Sequence, residues 1–72
     1  MDEYSLDGIK KKPLPILGYV SWALKREHLR DMVMEYRTKA LEDDLDHLIL
    51  VSKEYLQAAN TSARNRKTNE RE

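Results

Sequence analysis

The residues richest in chemistry sit in one short run, Asp44-Leu45-Asp46-His47. A carboxylate and an imidazole three residues apart share a helix face, and pairs of that kind supply half of a di-metal site in helical bundles. Completing such a centre takes carboxylates from other helices, and the sequence holds a single copy of the motif. The simpler reading is electrostatic, with Asp43 or Asp44 capping a helix N-terminus and His47 at its edge. His28, flanked by Glu27 and with Asp31 three residues on, reads as an ordinary surface contact. No Ser/His/Asp or Cys/His set, Gly-rich phosphate loop or zinc signature accompanies these residues. Neither enzyme activity nor a metal or cofactor is expected.

Recognition chemistry is better represented. Trp22, Tyr4, Tyr19, Tyr36 and Tyr55 are the aromatic residues, and such side chains anchor interfaces because they bury much area for little entropy. Trp22, Tyr36 and Tyr55 fall on helix-seam positions. Tyr4 lies in an acidic segment with Leu6 and Ile9, a segment suited to folding onto a partner. Met32-Val33-Met34 puts methionine on two faces of one helix, and only one of the two joins the Val33 stripe. Lys25, Arg26 and Arg30, with Arg64, Arg66 and Lys67 further on, are candidate phosphate contacts. They are interleaved with acids, and 13 basic residues balance 13 acidic ones, so no whole-chain field draws in nucleic acid or anionic lipid.

The elements that must position these groups are helices. Residues 19–59 lack Gly and Pro and are rich in good helix formers. At 100° per residue, Leu29, Val33, Tyr36 and Ala40 lie within about 40° of Trp22. Beyond residue 40 the stripe resumes at Leu41, Leu45, Leu48, Ser52, Tyr55 and Ala59, rotated by about 110°. Arg37 and Lys39 precede the jump, and Glu42, Asp43, Asp44 and Asp46 follow it, as helix dipoles favour at a C-terminus and then an N-terminus. Phase and charge together predict helices over 19–40 and 43–59, folded as an antiparallel amphipathic hairpin. No Gly or Asn stands at the turn to supply a left-handed cap, so one long, coiled-coil-like helix is the alternative.

Residues 1–18 hold both Gly and both Pro, and Lys12-Pro13-Leu14-Pro15 reads as an extended arm. Tyr4, Leu6, Ile9, Leu14, Ile16 and Leu17 give that arm enough apolar surface to predict contacts with its own helices or a partner. Residues 60–72 carry a single apolar side chain, Ala63, and read as a disordered polar and basic tail.

The whole is expected to be all-α and, at 72 residues without cysteine, too small to stabilise itself comfortably. A homodimer, or docking onto a larger protein, is therefore expected, with Trp22, Leu29, Val33, Tyr36, Leu41, Leu45, Leu48 and Tyr55 at the seam. The longest apolar-rich stretch is residues 14–24, well short of the ~20 residues that span a bilayer. With no complete leader pattern and no cysteine, the expected location is cytoplasmic, away from membranes. The function these features imply is a small protein–protein interaction module: a regulator, inhibitor or assembly adaptor. The alternative is a small dimeric nucleic-acid-binding protein that uses its basic helix face and tail.

Overall fold

The computed structural model describes the backbone of residues 3–70 and the side chains of residues 3–65. Three helices make up the architecture: α1 (Pro13–Arg26), α2 (Asp31–Ala40) and α3 (Leu45–Glu70). Among the described residues the chain is all-α, without a strand. Each helix packs against the other two. At 26 residues α3 is the longest, and it sets the 43 Å dimension of the molecule.

The first helix begins six residues earlier than the prolines suggested. Pro13 occupies the first helical position, where the missing N–H has no intrahelical acceptor to serve and φ is already set. Pro15 falls in the same turn, so neither proline breaks a bond the helix needs. Lys12 is extended, with φ −133° and ψ 152°, as a residue before proline prefers. The extended arm therefore ends at Lys12, and Leu14, Ile16, Leu17 and Gly18 are helical.

The expected helix over 19–40 is two helices. The break lies at residues 27–30, where His28 takes a left-handed φ of 63°. Its N–H bonds to the Lys25 carbonyl at 3.1 Å, and the Leu29 N–H reaches back to the Leu24 carbonyl at 2.8 Å. That pair of bonds is a Schellman cap, in which Leu29 packs back toward the core. Glycine usually fills the left-handed position; here histidine does, so the sequence carries no punctuation mark at the break.

Residues 41–44 connect α2 to α3. Asp44 caps α3 by accepting the His47 N–H at 3.0 Å, which satisfies one of the orphan donors of the first turn. His47 closes the junction from the other side. Its Nε2 is 2.9 Å from the Lys39 carbonyl; a carbonyl can only accept, so Nε2 carries the proton.

The core is drawn from all three helices: Ile16, Leu17, Val20, Ala23 and Leu24 of α1; Val33, Tyr36 and Ala40 of α2; Leu48, Val51, Tyr55, Leu56 and Ala59 of α3. Ala23, Ala40 and Ala59 are fully buried, and side chains that small let helix backbones come close. In the centre Tyr36 Oη and Ser52 Oγ, both buried, lie 2.7 Å apart, so each serves as the other's hydrogen-bond partner. The Tyr36 and Tyr55 rings stack obliquely at 5.2 Å. Val33, Tyr36, Leu48 and Tyr55, expected to need a second chain as cover, are covered within one chain.

Residues 4–9 form a strap across this bundle. A turn closes from the Leu6 carbonyl to the Ile9 N–H at 3.0 Å, with Gly8 at φ 83° supplying the left-handed conformation that such a turn demands. Asn60 of α3 grips Tyr4 in both directions: its Oδ1 accepts the Tyr4 N–H at 2.7 Å, and its Nδ2 donates to the Tyr4 carbonyl at 3.0 Å. The Tyr4 hydroxyl donates to the buried Glu27 carboxylate, while the Ser5 N–H meets the Tyr19 hydroxyl at 3.0 Å. Asn60, placed by the sequence in a disordered tail, is a structural clamp. Helix α3 continues to Glu70, past the expected boundary at residue 59.

Candidate docking face

Once core and strap are closed, the large apolar side chains left in solvent are Leu14 (81% exposed), Met34 (73%), Leu50 (59%), Leu41 (58%), Trp22 (48%) and Leu45 (37%). Helical geometry explains their exposure. On α1 the buried positions centre near Val20 and Leu24, and Trp22 lies about 160° from that centre. On α2, Met34 and Leu41 stand about 140–160° from the buried Tyr36.

Leu14, Leu17 and Trp22 wall one side of a groove of about 350 Å³. Gly18 and Ser21 lie between them, Lys25 stands at one end, and Arg37 reaches in from α2. A Cβ added to Gly18 would meet nothing within 4 Å, so the space over this part of α1 is open. Trp22 is held in place by its neighbours. The Tyr4 ring meets it edge-on at 5.8 Å, Tyr19 lies at 5.9 Å, and the Arg26 guanidinium sits 5.3 Å from its centroid. An indole fixed on three sides and half-exposed loses little entropy when a partner covers it.

The expected seam residues separate accordingly. Val33, Tyr36, Leu48 and Tyr55 belong to the core, Leu29 is half-buried, and Trp22, Leu41 and Leu45 face solvent. Of the arm residues, Ile16 and Leu17 are core and Tyr4, Leu6 and Ile9 lie half-buried on the chain's own helices; only Leu14 remains available to a partner. Among the candidate phosphate contacts, Lys25, Arg26 and Arg30 are exposed. Arg64 pairs with Glu3 at 3.0 Å, and the side chains of Arg66 and Lys67 lie outside the described residues. Gly18, Ser21 and Arg37 were not anticipated as site residues. Only the spacing of Leu14, Gly18 and Trp22 at four-residue steps would have pointed to an open helix face.

Electrostatically the two flanks of α2 differ. Away from the groove, Glu35 accepts from the Tyr55 hydroxyl at 2.9 Å and pairs with Lys39 at 3.5 Å. Burial raises the Tyr55 phenol above its usual range, with the hydrogen bond to Glu35 adding to the effect. Lys39 is raised as well, first by attraction to Tyr55 and then by Glu35. Burial likewise raises Tyr36. On the groove side the charges are Lys25 and Arg37, with no acid among the lining residues.

A second cleft, also about 350 Å³, runs between the strap and α3 and is lined by both signs of charge, including Glu3, Asp7, Lys53 and Arg64. Among the described residues, no three His, Cys, Asp or Glu side chains are placed to hold a metal, and no helix is long and apolar enough to cross a membrane. No protein-family model, curated protein or solved structure matches the chain.

Proposed function

We propose that this chain is a small interaction module that works by docking its α1–α2 face onto a larger protein, as a regulator, inhibitor or assembly adaptor. One observation carries the reading. A bundle that buries thirteen apolar residues in its own core still leaves Leu14, Trp22, Met34 and Leu41 exposed around α1 and α2. Apolar surface that a small protein keeps in water beside a groove marks an interaction site. The residue types agree: tryptophan and arginine dominate binding hot spots, and methionine adapts to irregular partners.

The test uses surface substitutions that spare the core. The Leu14→Asp and Met34→Asp double variant should keep the helicity and melting temperature of the parent, because both side chains are largely solvated already. It should lose a protein that the parent captures from its native cells and rebinds in purified form. A purified complex that forms equally well with the variant would remove the docking face from consideration.

Phosphate binding through Lys25, Arg26 and Arg30 is the second reading, supported by their exposure. Affinity for duplex DNA that falls steeply between low and moderate salt would favour it; apolar docking hardly responds to salt over that range.

A further inference from the structure

Building on the docking reading, we propose that the occupant of the α1–α2 groove is an acidic amphipathic helix of a partner protein. Its apolar side chains would rest on Leu14 and Trp22, and its carboxylates would face Lys25 and Arg37. The shape suits a helix. Leu14, Gly18 and Trp22 follow one another along one face of α1 at four-residue steps, with Ser21 and Lys25 beside them at a four-residue step of their own, rows against which a second helix packs. Gly18, in the middle of its row, stands under open space, since a Cβ there meets no atom within 4 Å.

Charge selects the kind of helix. Both charged residues lining the groove are cations, one on each wall, and Arg26 over the Trp22 ring extends the basic border. Three acids of the chain are engaged elsewhere, Glu3 with Arg64, Glu35 with Lys39 and Tyr55, and Glu27 beneath Tyr4, and no acid lines the groove. Complementary charge steers encounter and rejects wrong partners. A second copy of this chain fits poorly, because two-fold pairing of the same patch would set Lys25 and Arg37 against their own duplicates. A polyanion without apolar anchors would leave Leu14 and Trp22 in water.

Trp22 is the only tryptophan, so its emission reports directly on the groove of the full chain. The probe is a synthetic amphipathic helix of about 18 residues, five turns, with leucine along one face and glutamate on the flanks. A matched peptide carries lysine at every glutamate position. The acidic peptide should blue-shift Trp22 and bind about tenfold more tightly than the lysine peptide at low salt, the scale of two exposed charge pairs changed from attraction to repulsion. The gap should close at 1 M salt, where the screening length is about 3 Å. Arg37→Glu leaves one attraction and one repulsion for either peptide and should erase most of the preference. Gly18→Gln, which fills the groove with a better helix former, should retain helicity and weaken binding.

Equal binding of the two peptides, or an unchanged preference in Arg37→Glu, would overturn the acidic helix while leaving the docking face in place. A Trp22 shift that tracks chain concentration without peptide would name a second copy and overturn it too. So would a shift produced by short duplex DNA and by neither peptide. Silence from Trp22 with every probe also overturns the proposal, and the Leu14→Asp, Met34→Asp capture experiment then decides separately whether the docking reading survives.

Discussion

Asn60→Ala probes whether the strap belongs to the fold or is free to reach a partner. The Asn60 side chain makes two hydrogen bonds to the Tyr4 backbone, at 2.7 and 3.0 Å. Each is worth about 0.5–1.5 kcal/mol net, so losing both costs about 1–3 kcal/mol. Alanine is the better helix former by about 0.5 kcal/mol, which leaves a net loss of about 0.5–2.5 kcal/mol. A domain of this length has about 4–11 kcal/mol of stability in total. At about 4–8 °C per kcal/mol for a domain of this size, the melting temperature should fall by about 2–20 °C. Thermal unfolding followed by circular dichroism measures this, and Asn65→Ala, an exposed position on the same helix, isolates the propensity gain. Trp22 emission should shift to the red in Asn60→Ala, because Tyr4 leaves the indole edge. Identical melting curves and identical emission for the two variants would refute the clamp and return the strap to the pool of partner contacts.

Tyr36→Phe should cost about 1–2 kcal/mol in urea unfolding by stranding Ser52 Oγ in the core. Adding Ser52→Ala should recover part of that loss, and additive effects would mean the pair is not coupled. Tyr36 and Tyr55 ionise above the ordinary phenol range, so the fold favours their neutral forms. Their contribution is complete below the unfolded value of about 10 and is lost as pH rises through the folded values. In a Tyr4→Phe, Tyr19→Phe background, tyrosinate absorbance and loss of helicity should thus rise together on the alkaline side; tyrosinate formed there while helicity is intact would contradict the burial. His28→Gly relieves a left-handed φ that costs an L-residue about 1–2 kcal/mol, so a net gain of about 0.5–1 kcal/mol is expected after glycine's extra unfolded-state entropy. A loss in the same urea assay would point to a stabilising role for the imidazole.

The helical class was legible because residues 19–59 lack breakers, and the acids at 42–46 marked the start of α3, where Asp44 does cap. The first break was not legible. The stripe was anchored on Trp22, which faces solvent, and its phase happened to run through Leu29 into α2. Histidine at the left-handed cap gave no warning. Pro13 was misread because proline ends a helix from inside and also starts one at its first turn; choosing between the two takes knowledge of where Ile16 and Leu17 pack. Tyr4 and Asn60 lie 56 residues apart in sequence, and no local pattern announces such a pairing. As for the docking face, the sequence makes one of Met32 and Met34 surplus to the Val33 stripe without saying which, whereas Arg37 enters only through the meeting of α1 and α2.

The Tyr4 and Asn60 pairing also orders events in time. Residues 4–9 leave the ribosome well before residue 60, so contacts with Tyr19 and Glu27 become possible early, while the Asn60 clamp arrives only with the far half of α3. At about 5–20 residues per second, seconds pass before the Tyr4 backbone meets the α3 side chain that grips it. The strap is thus completed late, by one residue far along the chain.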